Sequence, residues 1–242
     1  RIFMDTKAET VERLTARLTA GIELRGRVRT DEEATRRRRR LRAWQSRRLA
    51  HTHADLLADP RFHDTAEFFL NELYGGGDTA ARDADVARVV PIAAKVLPVS
   101  GLTTVADAVE LDTLSEVLDA EMVEVLGEAI DRLDAPLYGA AYRTLGRHDD
   151  RVRQIELIES IGHALDHLTR HHFAGAALTM MRKPARLAGF SDLQVFLEDG
   201  YRAFRKMGGA DEFLEIIVMR ERAVMDGLFA GDDTVLDRIW KH

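Results

Sequence analysis

Apolar side chains return every third or fourth residue in segment after segment of this 242-residue chain, and no run alternates apolar with polar residues between hairpin turns. That period belongs to amphipathic helices and argues against a sheet-based core. The five prolines (Pro60, Pro91, Pro98, Pro136 and Pro184) each fall at an expected helix boundary or kink. The chain is therefore expected to be all-α, a compact bundle of about ten helices that begins with a helical hairpin.

The hairpin's first arm runs from about Asp5 to Leu24 on Val11, Leu14, Leu18 and Ile22. Its second opens at the capping box Thr30-Asp31-Glu32-Glu33 and reads as one long helix to about Ala58, closed by Asp59-Pro60. Ala34, Leu41, Trp44, Leu49 and Leu56 fall on its packing side. Asp64-Thr65-Ala66-Glu67 starts a short helix that stops at Gly75-Gly76-Gly77. A further helix spans about Thr79 to Leu97, kinked at Pro91, and Pro98 to Gly101 reads as a loop. Asp112 separates two segments, 102–111 and 113–126, and 128–145 is broken at Asp134-Ala135-Pro136. Helices then follow from Asp149 or Asp150 to about Phe173, from Ala174 to Arg182 and on until Pro184, and from Ser191 to Gly208-Gly209. Another opens at Asp211 on Phe213, Ile216, Ile217, Met219 or Arg220, Val224 and Leu228, and a short last one runs from Asp232 or Asp233 to Trp240.

Charge divides the chain unevenly. Residues 1–60 hold 15 Lys+Arg against 9 Asp+Glu, whereas the other 182 hold 20 against 32. The expected organisation is a basic N-terminal hairpin, 1–60, on an acidic helical body, 61–242, the two forming one continuous domain. A basic arm on an acidic body suits nucleic acid, an acidic partner or self-association. The absence of cysteine excludes disulfides, thiol nucleophiles, cysteine zinc sites and iron–sulfur clusters. No stretch is apolar enough for a membrane span and no signal-peptide core stands at the N-terminus, so no membrane association and a cytoplasmic location are expected.

Three constellations could carry chemistry. On the helix from Asp150, the i,i+4 pairs Glu159–His163 and His163–His167 lie on the side opposite Leu157, Ile158, Ile161, Leu165 and Leu168. Imidazole and carboxylate together suit zinc, iron or manganese, with a further ligand such as Glu72 or His148 from another helix. The spacing is Glu-x-x-x-His, not the Glu-x-x-His of di-iron bundles, and His-Glu-x-x-His is absent. A solvated polar face is the simpler reading, so no cofactor is expected and a transition metal stands as the alternative.

The second constellation is Arg36-Arg37-Arg38-Arg39-Arg40, extended by Arg42, Arg47 and Arg48. Five consecutive arginines point all round a helix. Phosphate contact is conceivable on charge alone, but the acidic total and the lack of interleaved aromatics beyond Trp44 disfavour nucleic acid. The third is Phe68-Phe69-Leu70-Asn71-Glu72-Leu73-Tyr74-Gly75 with the later Arg82-Asp83 and Pro91, read as an aromatic corner fixed by Arg82, Asp83 or Glu72. Ser46, Ser100, Ser115, Ser160 and Ser191 sit in no nucleophile elbow. Met180, Met181, Phe190 and Phe204 could line a pocket, although core packing explains them more simply.

The aromatic corner resembles an uncharacterised family of bacterial helical proteins with a Phe-Phe-x-x-x-Leu-Tyr-Gly … Arg-Asp … Pro pattern. The likeness extends to Phe196-Leu197-Glu198-Asp199-Gly200-Tyr201 and on to Gly208, covering about Arg37 to Phe229. It implies a helical fold and imports no activity, cofactor or site residue. The expected function is non-enzymatic, acting through protein–protein contacts as a homo-oligomer or with a protein partner. A small-molecule or metal-binding bundle using Glu159, His163 and His167 is the alternative, and nucleic-acid binding through Arg36 to Arg40 the third.

Overall fold

A computed structural model describes residues 7–29, 31–74, 99–171, 173–187 and 191–241. They form ten α-helices: α1 (Lys7–Arg29), α2 (Glu32–Thr52), α3 (Ala54–Ala58), α4 (His63–Tyr74), α5 (Val99–Leu126), α6 (Ala135–Leu145), α7 (His148–Thr169), α8 (Ala174–Leu187), α9 (Ser191–Met207) and α10 (Asp211–Ala230). Short 3₁₀ turns occupy Gly127–Arg132 and Asp233–Asp237. The all-α expectation holds, and no strand occurs among the described residues. The expected helix at Thr79–Leu97, with Pro91, Arg82 and Asp83, lies outside the described residues.

Helix α5 is the hub. It packs against α1, α2, α6 and α7, so it has neighbours on most sides. That surrounding explains two departures from the sequence expectation. Pro98–Gly101 is not all loop, since the helix already begins at Val99. Asp112 also interrupts nothing: buried Leu102, Ala106, Val109, Leu111, Leu118 and Met122 continue through it as one helix. The aspartate's weak helix preference is small against the burial of those side chains.

Helix α2 departs the other way. Asp31 caps it as expected, its side chain accepting from the Ala34 N–H at 3.1 Å. The helix ends at Thr52, however, and a separate turn, α3, begins after His53. Arg220 of α10 explains the break, donating from Nη1 to the Thr52 carbonyl at 3.0 Å and from both terminal nitrogens to the Asp55 carboxylate at 2.7 Å. It satisfies a helix-end carbonyl that would otherwise be orphaned. Helix α8 runs through Pro184 to Leu187, beyond the expected stop. Asp134 caps α6 with Pro136 in its first turn, and Gly208 and Gly231, both at positive φ, follow α9 and α10 where glycine is the residue with least strain.

Two main apolar clusters result. One joins Leu41, Met122, Ile130, Tyr138, Tyr142, Ile155, Val224 and Leu228 from α2, α5, α6, α7, α10 and the first 3₁₀ turn. The other joins Leu56, Phe62, Phe204, Phe213 and Leu214, with Phe69 against it. Phe204 is fully buried there, while Met180 and Met181 are exposed on α8, where Met180 borders an open groove between α8 and α9; Phe190 lies outside the described residues. Among the described residues no helix is long and apolar enough to cross a membrane.

Candidate ligand-binding cavity

Between the two clusters, polar side chains sit at positions that helical register turns inward. On α2, Gln45 follows buried Leu41 by four residues and precedes buried Leu49 by four, with Arg48 beside it. On α7, Arg151 precedes Ile155 by four and Ile158 by seven, all three buried, and Gln154 shares that face. On α10, Glu221 lies between Ile217 and Val224. A helix cannot hide the apolar members of such a row without also hiding the polar ones.

These residues border a cavity with Phe69, Tyr138, Tyr142, Ser115 and Ile217. It offers about 90 Å³ to the centres of water-sized spheres, room for roughly three waters at liquid density or a small organic molecule. Its walls are aromatic on two sides. Trp44 stacks on Tyr138 with centroids 4.3 Å apart, Tyr138 meets Tyr142 in a tilted pair at 5.9 Å, and Phe69 meets Phe213 at 5.8 Å.

Charge at the cavity is organised in pairs with one exception. Arg48 Nη1 donates to both oxygens of Glu221, at 2.7 and 2.8 Å, and His53 Nε2 lies 3.0 Å from the same carboxylate. Burial on its own would raise the Glu221 carboxyl, but Arg48 and His53 outweigh it and hold the group lowered to about 2. Glu221 is thus ionised at neutral pH, so His53 Nε2 donates its proton to the hydrogen bond between them. Asp119 accepts from Arg42 at 3.0 Å and from Gln45 Nε2 at 3.1 Å. Burial pushes the Tyr142 phenol up, so its hydroxyl stays protonated.

Arg151 is the exception. It is 7 % exposed, its Nη1 donates to Gln154 Oε1 at 3.0 Å, and its Cζ lies 4.7 Å from the Tyr142 ring centroid. Among the described residues it meets no carboxylate, and its Nε and Nη2 have no hydrogen-bond partner. Gln45 Oε1 and His53 Nδ1, both on buried side chains, also lack one. The cavity therefore presents unmatched donors, unmatched acceptors and one uncompensated positive charge. It can hold a small polar molecule, and it favours one that brings negative charge.

The residues singled out from the sequence lie elsewhere. Glu159 is half-buried, and His163 and His167 are exposed. His163 Nδ1 is 3.6 Å from Asp211, and His167 Nε2 is 3.2 Å from His171 Nε2. Asp166, on the same helix, is buried and pairs with Arg170. No group of three His, Asp or Glu suited to a metal occurs among the described residues. His148 is the first residue of the same helix, not a ligand from another, and the side chain of Glu72 lies outside the described set.

The arginine run is largely absorbed within the chain. Arg36 and Arg37 meet Glu33, Arg36 and Arg40 meet Asp131, Arg38 and Arg42 meet Glu116, and Arg42 also meets Asp119. Glu116 is 1 % exposed, so its pairs with Arg38 and Arg42 form an internal seam, whereas the pairs of Glu33 and Asp131 lie at the surface. Arg36, Arg39, Arg40 and Arg47 are exposed.

Residues 24–235 match a family described as Domain of unknown function (DUF8198). No curated protein and no solved structure matches the chain.

Proposed function

The chain belongs to that family, whose description assigns no activity, and from the cavity we propose that it is a small-molecule-binding helical domain. One observation carries this reading: Arg151, Gln45 and His53 are buried around a common cavity with hydrogen-bonding atoms left unmatched. Buried polar groups are costly unless satisfied, and a core retains them where something else completes them. The aromatic and aliphatic walls supply affinity for an organic body, and the few polar groups supply orientation.

A thermal-shift screen of neutral, anionic and cationic organic fragments tests the reading, with hits confirmed by calorimetry on the wild type and on Ile217→Phe. Ile217 borders the cavity, so the larger side chain takes up its space. The expected result is a set of stabilising fragments whose binding Ile217→Phe abolishes. Fragments that bind both proteins equally, or a screen in which nothing binds, overturn it.

A further inference from the structure

The four arginines Arg36, Arg153, Arg182 and Arg151 differ in one respect that identifies what the cavity takes. Arg36 lays its Nε–Nη2 edge on Glu33 at 2.8 and 2.7 Å, Arg153 on Glu110 at 2.8 and 3.2 Å, and Arg182 on Glu198 at 2.7 and 2.7 Å. That edge matches the two oxygens of a carboxylate. In Arg151 the same two nitrogens are buried and meet no acceptor among the described residues.

Its guanidinium is nevertheless held in place. Gln154 Oε1 accepts from Nη1 while its own Nε2 donates to Ser115 Oγ at 2.9 Å, and the Tyr142 ring lies under the cation. Around it the other charges cancel, Arg48 with Glu221 and Arg42 with Asp119. The deficit is one negative charge, and Ile155, Ile158 and Phe69 line the same cavity. Resting on the reading that this cavity binds a small molecule, we propose that its ligand is an organic monocarboxylate whose carboxylate closes on Arg151 Nε and Nη2 and whose apolar body packs on those side chains. A phosphate dianion would overshoot the charge and leave the apolar wall uncovered. A neutral molecule would leave the buried cation uncompensated.

Benzoate, 3-phenylpropionate and hexanoate are compared with their amides and with inorganic phosphate by calorimetry and thermal shift on the full chain. Each acid is expected to bind at least roughly tenfold more tightly than its amide, the difference a charged bidentate pair supplies. Arg151→Met is expected to lose the acids while its urea midpoint stays level or rises, because the variant removes a buried charge that the empty protein leaves unpaired. A purely structural arginine would instead lower that midpoint. Arg151→Lys, which keeps the charge but not the edge, is expected to lose about tenfold, and Arg153→Met, outside the cavity, to bind as wild type does.

Amides binding as tightly as acids, acids still bound by Arg151→Met, or phosphate outbinding benzoate each overturn the carboxylate assignment. Binding of neutral fragments without preference for acids leaves the cavity reading standing and removes this one. No binding of any probe removes both. If Arg151→Met does not fold, the acid–amide ratio and Arg151→Lys decide.

Discussion

Arg220 has no exposed surface, yet it carries a full charge through the centre of the protein. It is tolerable there because Asp55 takes both terminal nitrogens and the Thr52 carbonyl takes a third bond. Removing one partner of such a pair strands the other. Arg220→Met is expected to cost about 3–5 kcal/mol in urea unfolding, and Arg220→Met with Asp55→Leu is expected to recover part of that loss. Glu221, the next residue, makes a pH prediction. Its carboxyl is lowered from 4.5 to about 2 in the folded chain, so it stabilises the fold above its unfolded value and loses that contribution as pH falls toward 2. The stability gap between wild type and Glu221→Gln is expected to shrink by up to roughly 3 kcal/mol between pH 4.5 and 2. Urea titrations at stepped pH measure it, and a gap constant across that window would show that Arg48 and His53 do not hold the charge.

Between elements, contact distance depends on residues too small to draw attention in a sequence. Gly162 is buried where α7 crosses α10, and a Cβ there would overlap the Leu214 side chain. Gly162→Ala is therefore expected to destabilise by about 1–3 kcal/mol despite alanine's better helix propensity, and Gly162→Ala with Leu214→Val to regain some of it. Chemical denaturation of both variants checks this, and a neutral Gly162→Ala would mean that the helices can separate without loss. The helices themselves were largely legible because their period survives in the sequence: Phe213, Val224 and Leu228 are buried as the α10 pattern implied. The end of α2 was not legible, since the group that terminates it, Arg220, lies 168 residues away. The cavity was missed for a related reason. A polar residue opposite an apolar stripe, as His163 and His167 are, falls on an exposed face. Gln45, Arg151 and Glu221 stand within the stripes, and a polar residue at i or i+4 of a buried row was the available signal.

Across the whole molecule, the basic first 60 residues and the acidic remainder are halves of one electrostatic arrangement. Arg38 and Arg42 enclose Glu116, Arg48 holds Glu221, and Arg36 and Arg40 meet Asp131. Apolar packing follows the same seam, for Leu41 belongs to one main cluster and Leu56 to the other. Deleting residues 1–60 would remove Leu41, Leu49 and Leu56 and leave Glu116, with 1 % exposure, and Glu221 without their cations. Each buried leucine lost costs about 2–5 kcal/mol and each stranded charge several more, against a total stability of about 5–15 kcal/mol for a typical domain. The fragment 61–242 is therefore expected to show no cooperative urea or thermal transition by circular dichroism. The full chain is expected to unfold in one transition, with far-ultraviolet dichroism and tryptophan fluorescence giving the same midpoint, because Trp44 and Trp240 both pack on a cluster that the first 60 residues and the remainder build together. A fragment that melts cooperatively on its own would make the hairpin an appendage, and the cavity, bordered by Gln45, Arg48 and His53 from that segment, would then depend on a docking equilibrium and not on the fold.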